Sequence, residues 1–288
     1  MANTQAIKRR IRSVKSTKQI TKAMELVAAS KMRRAQEATL RSRAYRNTSR
    51  EILTRISQLI DVTTHPLYVV RPVKKKLVIA ISSDRGLAGA YNSNILKKFV
   101  AETKTDVAND VGVEVVSIGR QVARFVSKLE GVESVAAFEN FPEKPTANDL
   151  QPIVKMMFEK FESGEVDQVD VLYTDYVSSI TQEARVDTLL PAAFEPTEDR
   201  PDLEDSVFEP SPAEVLEGVT PKLVEVQLFQ AILESYASEH SMRMMAMKNA
   251  SDNAGDIIDD LTLEFNSARQ AAITQELAEI TGGAEAIS

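Results

Sequence analysis

Asp84-Arg85-Gly86-Leu87-Ala88-Gly89-Ala90-Tyr91-Asn92 is the segment whose residue types and spacing come nearest to chemistry. It lies between an apolar run and a helix-patterned stretch, where backbone N–H groups at a helix N-terminus can cradle a phosphate. It carries neither the G-x-G-x-x-G pattern nor the lysine-bearing G-x-x-x-x-G-K-[ST] pattern, so Gly86 and Gly89 read as a tight turn. Metal chemistry is poorly served: there is no cysteine, and His65 and His240 are the two histidines. That excludes disulfides and thiolate ligands and makes a zinc site or a histidine base improbable. The acids between Glu195 and Glu217 lack metal-ligand spacing and read as solvated surface. No nucleophile, base and orienting group form a set, so no cofactor or metal is expected and the chain reads as a non-enzyme.

Two other features are more informative. Met242, Met244, Met245 and Met247, with Arg243 and Lys248 among them, form an unusual cluster. Methionine is flexible and polarizable, which suits a surface that must accept several packing arrangements. Helical spacing assigns Met242 and Met245 to a seam and leaves others facing outward or toward another chain. The charge is also uneven. Residues 1–50 hold fourteen Lys and Arg against Glu25 and Glu37, about +12, and the other 238 residues carry 21 basic and 40 acidic groups, about −19. A basic segment of this kind can meet nucleic acid, an anionic membrane or an acidic protein surface. Its Arg-rich, acid-poor start also has the composition of a mitochondrial presequence, but the helical pattern runs well beyond presequence length.

The elements that must position these residues are set by where the helix breakers are. Met1 to His65 has no proline and no glycine, and Lys222 to Thr281 has no proline and only Gly255. Such stretches predict two very long helices, each on the order of 90 Å at about 1.5 Å per residue. In the first, Ile7, Ile11 and Val14, then Ile20, Met24 and Val27, then Ile52, Ile56 and Leu59 predict a narrow seam, with the small Ala28, Ala35, Ala38 and Ala44 between. In the second, Val224, Leu228 and Ile232, then Met242 and Met245, then Ile258, Leu261, Phe265, Ala268 and Ala272 do the same. Each helix is the other's expected partner.

Between them, strands at 77–82, 113–118, 132–138 and 169–173 alternate with helices at 91–102, 122–129 and 150–161, and a looser edge strand is expected at 180–190. The continuous apolar run Leu77 to Ser82 has the pattern of a strand buried on both faces. From Pro191 to Pro221 lie six of the eleven prolines and many acids, an irregular acidic connector. Ser211-Pro212-Ala213-Glu214 has the form of a capping box, predicting a short helix that stops at Gly218 and restarts at Thr220-Pro221. The expected fold class is α/β: a long antiparallel coiled coil of the N- and C-terminal helices, with a small Rossmann-like α/β domain inserted between them. The expected divisions are 1–65 for the first coiled-coil helix, 66–194 for the α/β domain, 195–221 for the connector and 222–288 for the second helix and tip. No run approaches 18 apolar residues, and the first thirty residues lack a secretory apolar core.

Three blocks carry a family resemblance. Ile20-Thr21-Lys22-Ala23-Met24-Glu25-Leu26-Val27-Ala28-Ala29-Ser30-Lys31-Met32, Ser83-Asp84-Arg85-Gly86-Leu87-Ala88-Gly89 and Ala268-Arg269-Gln270-Ala271-Ala272-Ile273-Thr274-Gln275-Glu276-Leu277-Ala278-Glu279-Ile280 closely resemble the gamma subunit of the F-type proton-translocating ATP synthase. The blocks keep the family's order and the resemblance covers the whole chain, most loosely from about 100 to 220. It implies a non-catalytic central rotor stalk, which transmits torque between the membrane c-ring and the alpha/beta ring and couples proton flow to ATP synthesis or hydrolysis. It implies alpha and beta subunits, the epsilon subunit and the c-ring as partners, no nucleic acid, and membrane association through the complex only. By the same resemblance Met24 faces an acidic lever loop of a beta subunit, Arg243 lies near that region, and Arg269 with Gln270 meet a beta-subunit catch loop. The tail from Thr281 to Ser288 would occupy an apolar bearing, with Glu285 a departure, and the cysteine-bearing regulatory insert of chloroplast relatives is absent. The implied location is the cytoplasmic face of a bacterial plasma membrane. Two rivals remain: a stand-alone coiled-coil adaptor binding nucleic acid or anionic lipid through its basic helix, with steep salt dependence, and a nucleotide-binding enzyme using the Gly86 and Gly89 turn.

Overall fold

The apolar run after Pro72 becomes Lys75–Ile81 (β1), the central strand of a five-stranded sheet. The computed structural model describes residues 2–57, 60, 61, 65–178, 180–192 and 209–285, without the side chains of 2, 3, 41–47, 49–55, 57, 279 and 282–285. The connector from 193 to 208, Leu59, the side chains of Ala44 and Ile52, and the last three tail residues therefore lie outside it. The chain divides into two units, residues 30–242 and residues 1–29 with 243–288.

In the first unit β1 is flanked by Gly112–Ile118 (β2), then Val132–Phe138 (β3), on one side, and by Gln168–Tyr176 (β4), then Gln182–Leu190 (β5), on the other. The pairings are parallel except for the antiparallel β4 and β5. Because side chains alternate across a strand, Leu77, Ile79 and Ile81 enter one core and Val78 and Ala80 the other. The helix Ala147–Glu162 (α4) supplies Leu150, Ile153, Met157 and Phe161 to the first core. The helices Tyr91–Ala108 (α2) and Arg120–Val126 (α3) supply Ile95, Phe99, Val122 and Val126 to the second. Each fully buried Leu, Ile or Phe contributes about 1.5–3 kcal/mol, which makes this two-sided burial the main stabilisation of the sheet.

Two long helices enter this unit, Ala2–Ser57 (α1) and Pro212–Glu285 (α5). Val224, Leu228 and Ile232, expected in a two-helix seam, instead join the core beneath β1. Ile56 packs with Tyr68, Leu216 and Leu223. That packing also overrides the expected break at Gly218. Ser211 caps the helix through Glu214 with Pro212 in its first turn, and the helix then runs on through Gly218 and Pro221. Leu216, Thr220 and Leu223 are buried on both sides of Pro221, so tertiary contacts hold a turn that local propensity would break.

One buried carboxylate ties three elements together. Glu114 of β2 is 1% exposed, hydrogen-bonded by Lys75 of β1 and approached at 3.0 Å by Lys160 of α4. Burial pushes its pKa up, but the hydrogen bonds from Lys75 and Lys160 outweigh burial and hold it below the ordinary carboxylate value. A depressed folded pKa adds stability above the unfolded value and loses it as pH falls through the folded one. Glu114→Gln is therefore expected to lower stability by about 1–2 kcal/mol near pH 7. The gap should begin to narrow as pH falls to the ordinary carboxylate value of about 4 and close only below the depressed folded one. Urea unfolding of both proteins from pH 3 to 7 checks this, and a pH-independent difference would contradict it.

The second unit is a helix pair with a strict seven-residue repeat. On α1, Thr4, Ile7, Ile11, Val14, Lys18, Thr21, Glu25 and Ala28 follow steps of three and four, and all but Lys18 are buried or half-buried. On α5, Met247, Ser251, Ala254, Ile258, Leu261, Phe265, Ala268 and Ala272 do the same. Gly255 lies against Lys18, where a Cβ would stand 2.8 Å from Nζ. With that contact as register, an antiparallel pairing places Ala272 just past the start of α1, and burial on α5 ends there.

The repeat corrects the expected seam. Ile20 and Val27 are 57% and 54% exposed, whereas Thr21 and Ala28 are buried. A seven-residue step from Val14 to Thr21 turns the helix to within about 20° of the same face, while the six-residue step to Ile20 misses by about 120°. Thr21 tolerates burial because its hydroxyl donates to the carbonyls of Thr17 and Lys18, both at 3.1 Å. The same rule moves the methionine seam position from Met245, which is exposed, to Met247, which is buried.

Candidate functional site

The glycine turn sits at the C-terminal end of β1, where the sheet order reverses between β2 and β4, the usual ligand crevice of such sheets. Here its groups are committed to structure. The Asp84 carboxylate accepts the N–H groups of Arg120 and Asn140, both at 3.0 Å. Asn92 at the start of α2 accepts from the Ser83 N–H at 3.2 Å and from its hydroxyl at 3.0 Å. The pairing of β1 with β4 ends at Ala80 and Leu172, so Thr174 lies beyond the last β1 partner. Helix α5 supplies what β1 does not: the Ser235 hydroxyl accepts the Thr174 N–H at 3.4 Å, and the Ser238 hydroxyl donates to the Thr174 carbonyl at 3.1 Å. Ser235 also meets the Tyr91 hydroxyl of α2 at 2.7 Å.

The crevice is thus filled by a helix. Ser235, Ser238 and Ser241 are spaced by three and fully buried, a hydroxyl stripe that the apolar pattern concealed and that its spacing could have revealed. Ser235→Ala leaves the Tyr91 hydroxyl and the Thr174 N–H buried without this partner. The expected loss is about 1–3 kcal/mol. Chemical denaturation measures it, and a neutral substitution would mean that the stripe is dispensable.

The other candidate surface is the outside of the helix pair. Ile20, Leu26 and Val27 on α1 and Ile257 and Leu263 on α5 are exposed apolar residues that the seam leaves outward. Lys8, Arg9, Arg10, Arg12, Lys15 and Lys22 are exposed on α1, whereas Asp252, Asp256, Asp259, Asp260 and Glu264 are exposed on α5. The pair therefore carries opposite charge on its two helices. From Ile273 to Thr281 every described side chain of α5 is exposed, including Ile273, Leu277 and Ile280.

The four residues singled out from sequence fall in this unit but not together. Met24 and Arg243 are half-buried, and Arg269 and Gln270 are exposed. In the Lys18 and Gly255 register Met24 and Arg243 lie within a few turns of one another. Arg269 stands 26 residues beyond Arg243 on α5, about 39 Å along the axis. They form two separate surfaces.

A sequence model described as ATP synthase matches residues 3–287. The chain belongs to the ATP synthase family. This is the family of the F-type gamma subunit, and the fold agrees across large evolutionary distance. The central stalk and c-ring of the Tetrahymena thermophila mitochondrial ATP synthase contains a chain 24% identical, with a TM-score of 0.61 over 81% of this chain and 99% of that one. A chain of the Euglena gracilis mitochondrial ATP synthase, from its OSCP, F1 and c-ring assembly, is 17% identical with a TM-score of 0.68 over 99% and 95%. A chain of the rotor of the same synthase is 15% identical with a TM-score of 0.62 over 94% and 99%. The solved chains that share this long helix pair and mostly parallel sheet come from central-stalk and rotor assemblies. Among the described residues no helix is long and apolar enough to cross a membrane.

Proposed function

We propose that the chain is the non-catalytic rotor shaft of a proton-translocating ATP synthase, carrying torque between the c-ring and the ring of alpha and beta subunits. The observation that carries this reading is the outer surface of the helix pair, where Ile20, Leu26 and Val27 are excluded from the seam and left exposed beside a run of cations. Clustered outward apolar side chains favour a partner wall, and the cations suit an acidic one. Met24 and Arg243 would meet a beta subunit at one level, and Arg269 with Gln270 would meet another beta-subunit segment at the far level. The epsilon subunit completes the proposed partners. As the shaft turns, each beta subunit meets a different face, so each is biased toward a different conformation, and that is how rotation couples to nucleotide affinity.

Ser235 and Ser238 filling the sheet crevice support a subunit that binds no nucleotide there. The location that fits is peripheral, through the complex, at the cytoplasmic face of a bacterial plasma membrane. Reconstitution tests the reading: ATP hydrolysis by alpha and beta subunits is measured with and without the chain. Assembly and turnover that ignore its presence would remove the rotor function, and binding of nucleic acid or anionic vesicles with steep salt dependence would favour the adaptor.

A further inference from the structure

Within the unit of residues 30–242, a groove of about 340 Å³ opens between α1, the segment before α4 and α5. Its floor is apolar: Leu233 and Tyr236 are buried and Phe229 half-buried, at successive turns of α5. Its rim is cationic. Lys31 is committed to Glu143 by a close ion pair. Among the described residues Arg34 reaches neutral acceptors of Ser30, the carbonyl at 3.4 Å and the hydroxyl at 3.3 Å. Lys144 lies beside them, exposed, with no carboxylate within ion-pairing distance among the described residues. The Lys31 hydrogen bond, with the nearby Arg34 guanidinium, holds the Glu143 carboxyl below the ordinary carboxylate value. Glu37 is the other acid on the rim.

We propose that this groove is a binding site for a small amphipathic organic anion, its aromatic or aliphatic body on Phe229, Leu233 and Tyr236 and its sulfonate, carboxylate or phosphate on Arg34 and Lys144. The volume lies at the small end of the range of ligand pockets, which suits a single ring system rather than a peptide. The apolar floor supplies burial, and the two rim cations supply orientation and selection for negative charge. Such a ligand would bridge three elements, α1, the loop before α4 and α5. The site owes nothing to the rotor reading and can fail without it.

The chain has no tryptophan, so Phe229→Trp places a single indole in the groove. The test titrates this full-length variant with anilinonaphthalene sulfonate and follows energy transfer from the indole, and the rim substitutions separate binding in the groove from binding to apolar surface elsewhere within transfer range. The expected result is saturable, single-site transfer that weakens about tenfold when Arg34→Ala and Lys144→Ala are added, two exposed contacts whose loss should leave the fold intact. Neutral N-phenylnaphthylamine should bind at least that much more weakly. Calorimetric titration of the unsubstituted chain guards against damage from Phe229→Trp and should give the same affinity with the anionic probe. Transfer that never saturates, or equal binding of the neutral probe, or indifference to the two alanines would overturn the proposal.

Discussion

Gly119→Ala is expected to cost the α/β unit at least about 3 kcal/mol, a large fraction of the total stability of an ordinary domain. Gly119 joins β2 to α3 at φ +96°, where an L side chain is strained in any surroundings. The surroundings are also closed. An added Cβ would stand 2.1 Å from the Ser82 carbonyl oxygen and 2.7 Å from its carbon. Backbone cannot swing aside as a side chain can, and here it is pinned: Ser82 donates its N–H to Ile118 at 2.8 Å and Gly119 donates to Phe138 at 2.9 Å. Relief would require breaking the β1 to β2 or β2 to β3 junction at the sheet's C-terminal edge, and with it the loop that Asp84 holds. Because the clash is with backbone, adding Ser82→Gly should rescue little, although it removes the hydroxyl that lies 2.9 Å from the same point. Urea unfolding of the single and double variants measures both effects. A single variant within about 1 kcal/mol of the parent would show that the junction can shift.

That junction illustrates what sequence can and cannot carry. The strand Leu77 to Ser82 was legible because burial on both faces removes alternation and leaves an unmistakable apolar run. The long helices were legible because breakers are absent over whole segments. The seam between them was legible only in part: Ile7, Ile11 and Val14, and Ile258 through Ala272, hold their expected places, but the path beyond Val14 does not. A reading by apolar residues steps from Val14 to Ile20, whereas geometry continues through Lys18 and Thr21, whose polar groups find local partners or contact Gly255. Hydrophobicity and register disagree there, and register wins because the packed face is fixed by helix geometry. Pro221 misled in the opposite direction. Propensity predicts a break, and burial of Leu216, Thr220 and Leu223 around it keeps the helix whole. The crevice-filling serines were hidden because the fold's usual ligand site had to be located before a helix could be seen to occupy it.

The residues displaced from the seam supply the second large effect. Ile20→Asp with Val27→Asp is expected to leave the isolated chain within about 0.5 kcal/mol of the parent, since both side chains are more than half exposed. In the assembled ATP synthase the same pair should reduce coupled turnover by an order of magnitude or more if the proposed partner wall receives this face, because two carboxylates would replace apolar groups beside its cations. Met24, half-buried and between them in sequence, separates charge from burial. Met24→Lys adds a cation rather than an anion, so against an acidic beta-subunit loop it should strengthen the contact and impede its release. The expected signature is ATP hydrolysis that continues while proton pumping per ATP falls. The three measurements discriminate. Loss of chain stability in the aspartate pair would place Ile20 and Val27 in a packed interior. Unchanged coupling in Met24→Lys would place Met24 away from an acidic partner. Full coupled turnover in the aspartate pair would show that this outer face meets nothing, and the exposed apolar residues would then have no role in transmitting torque.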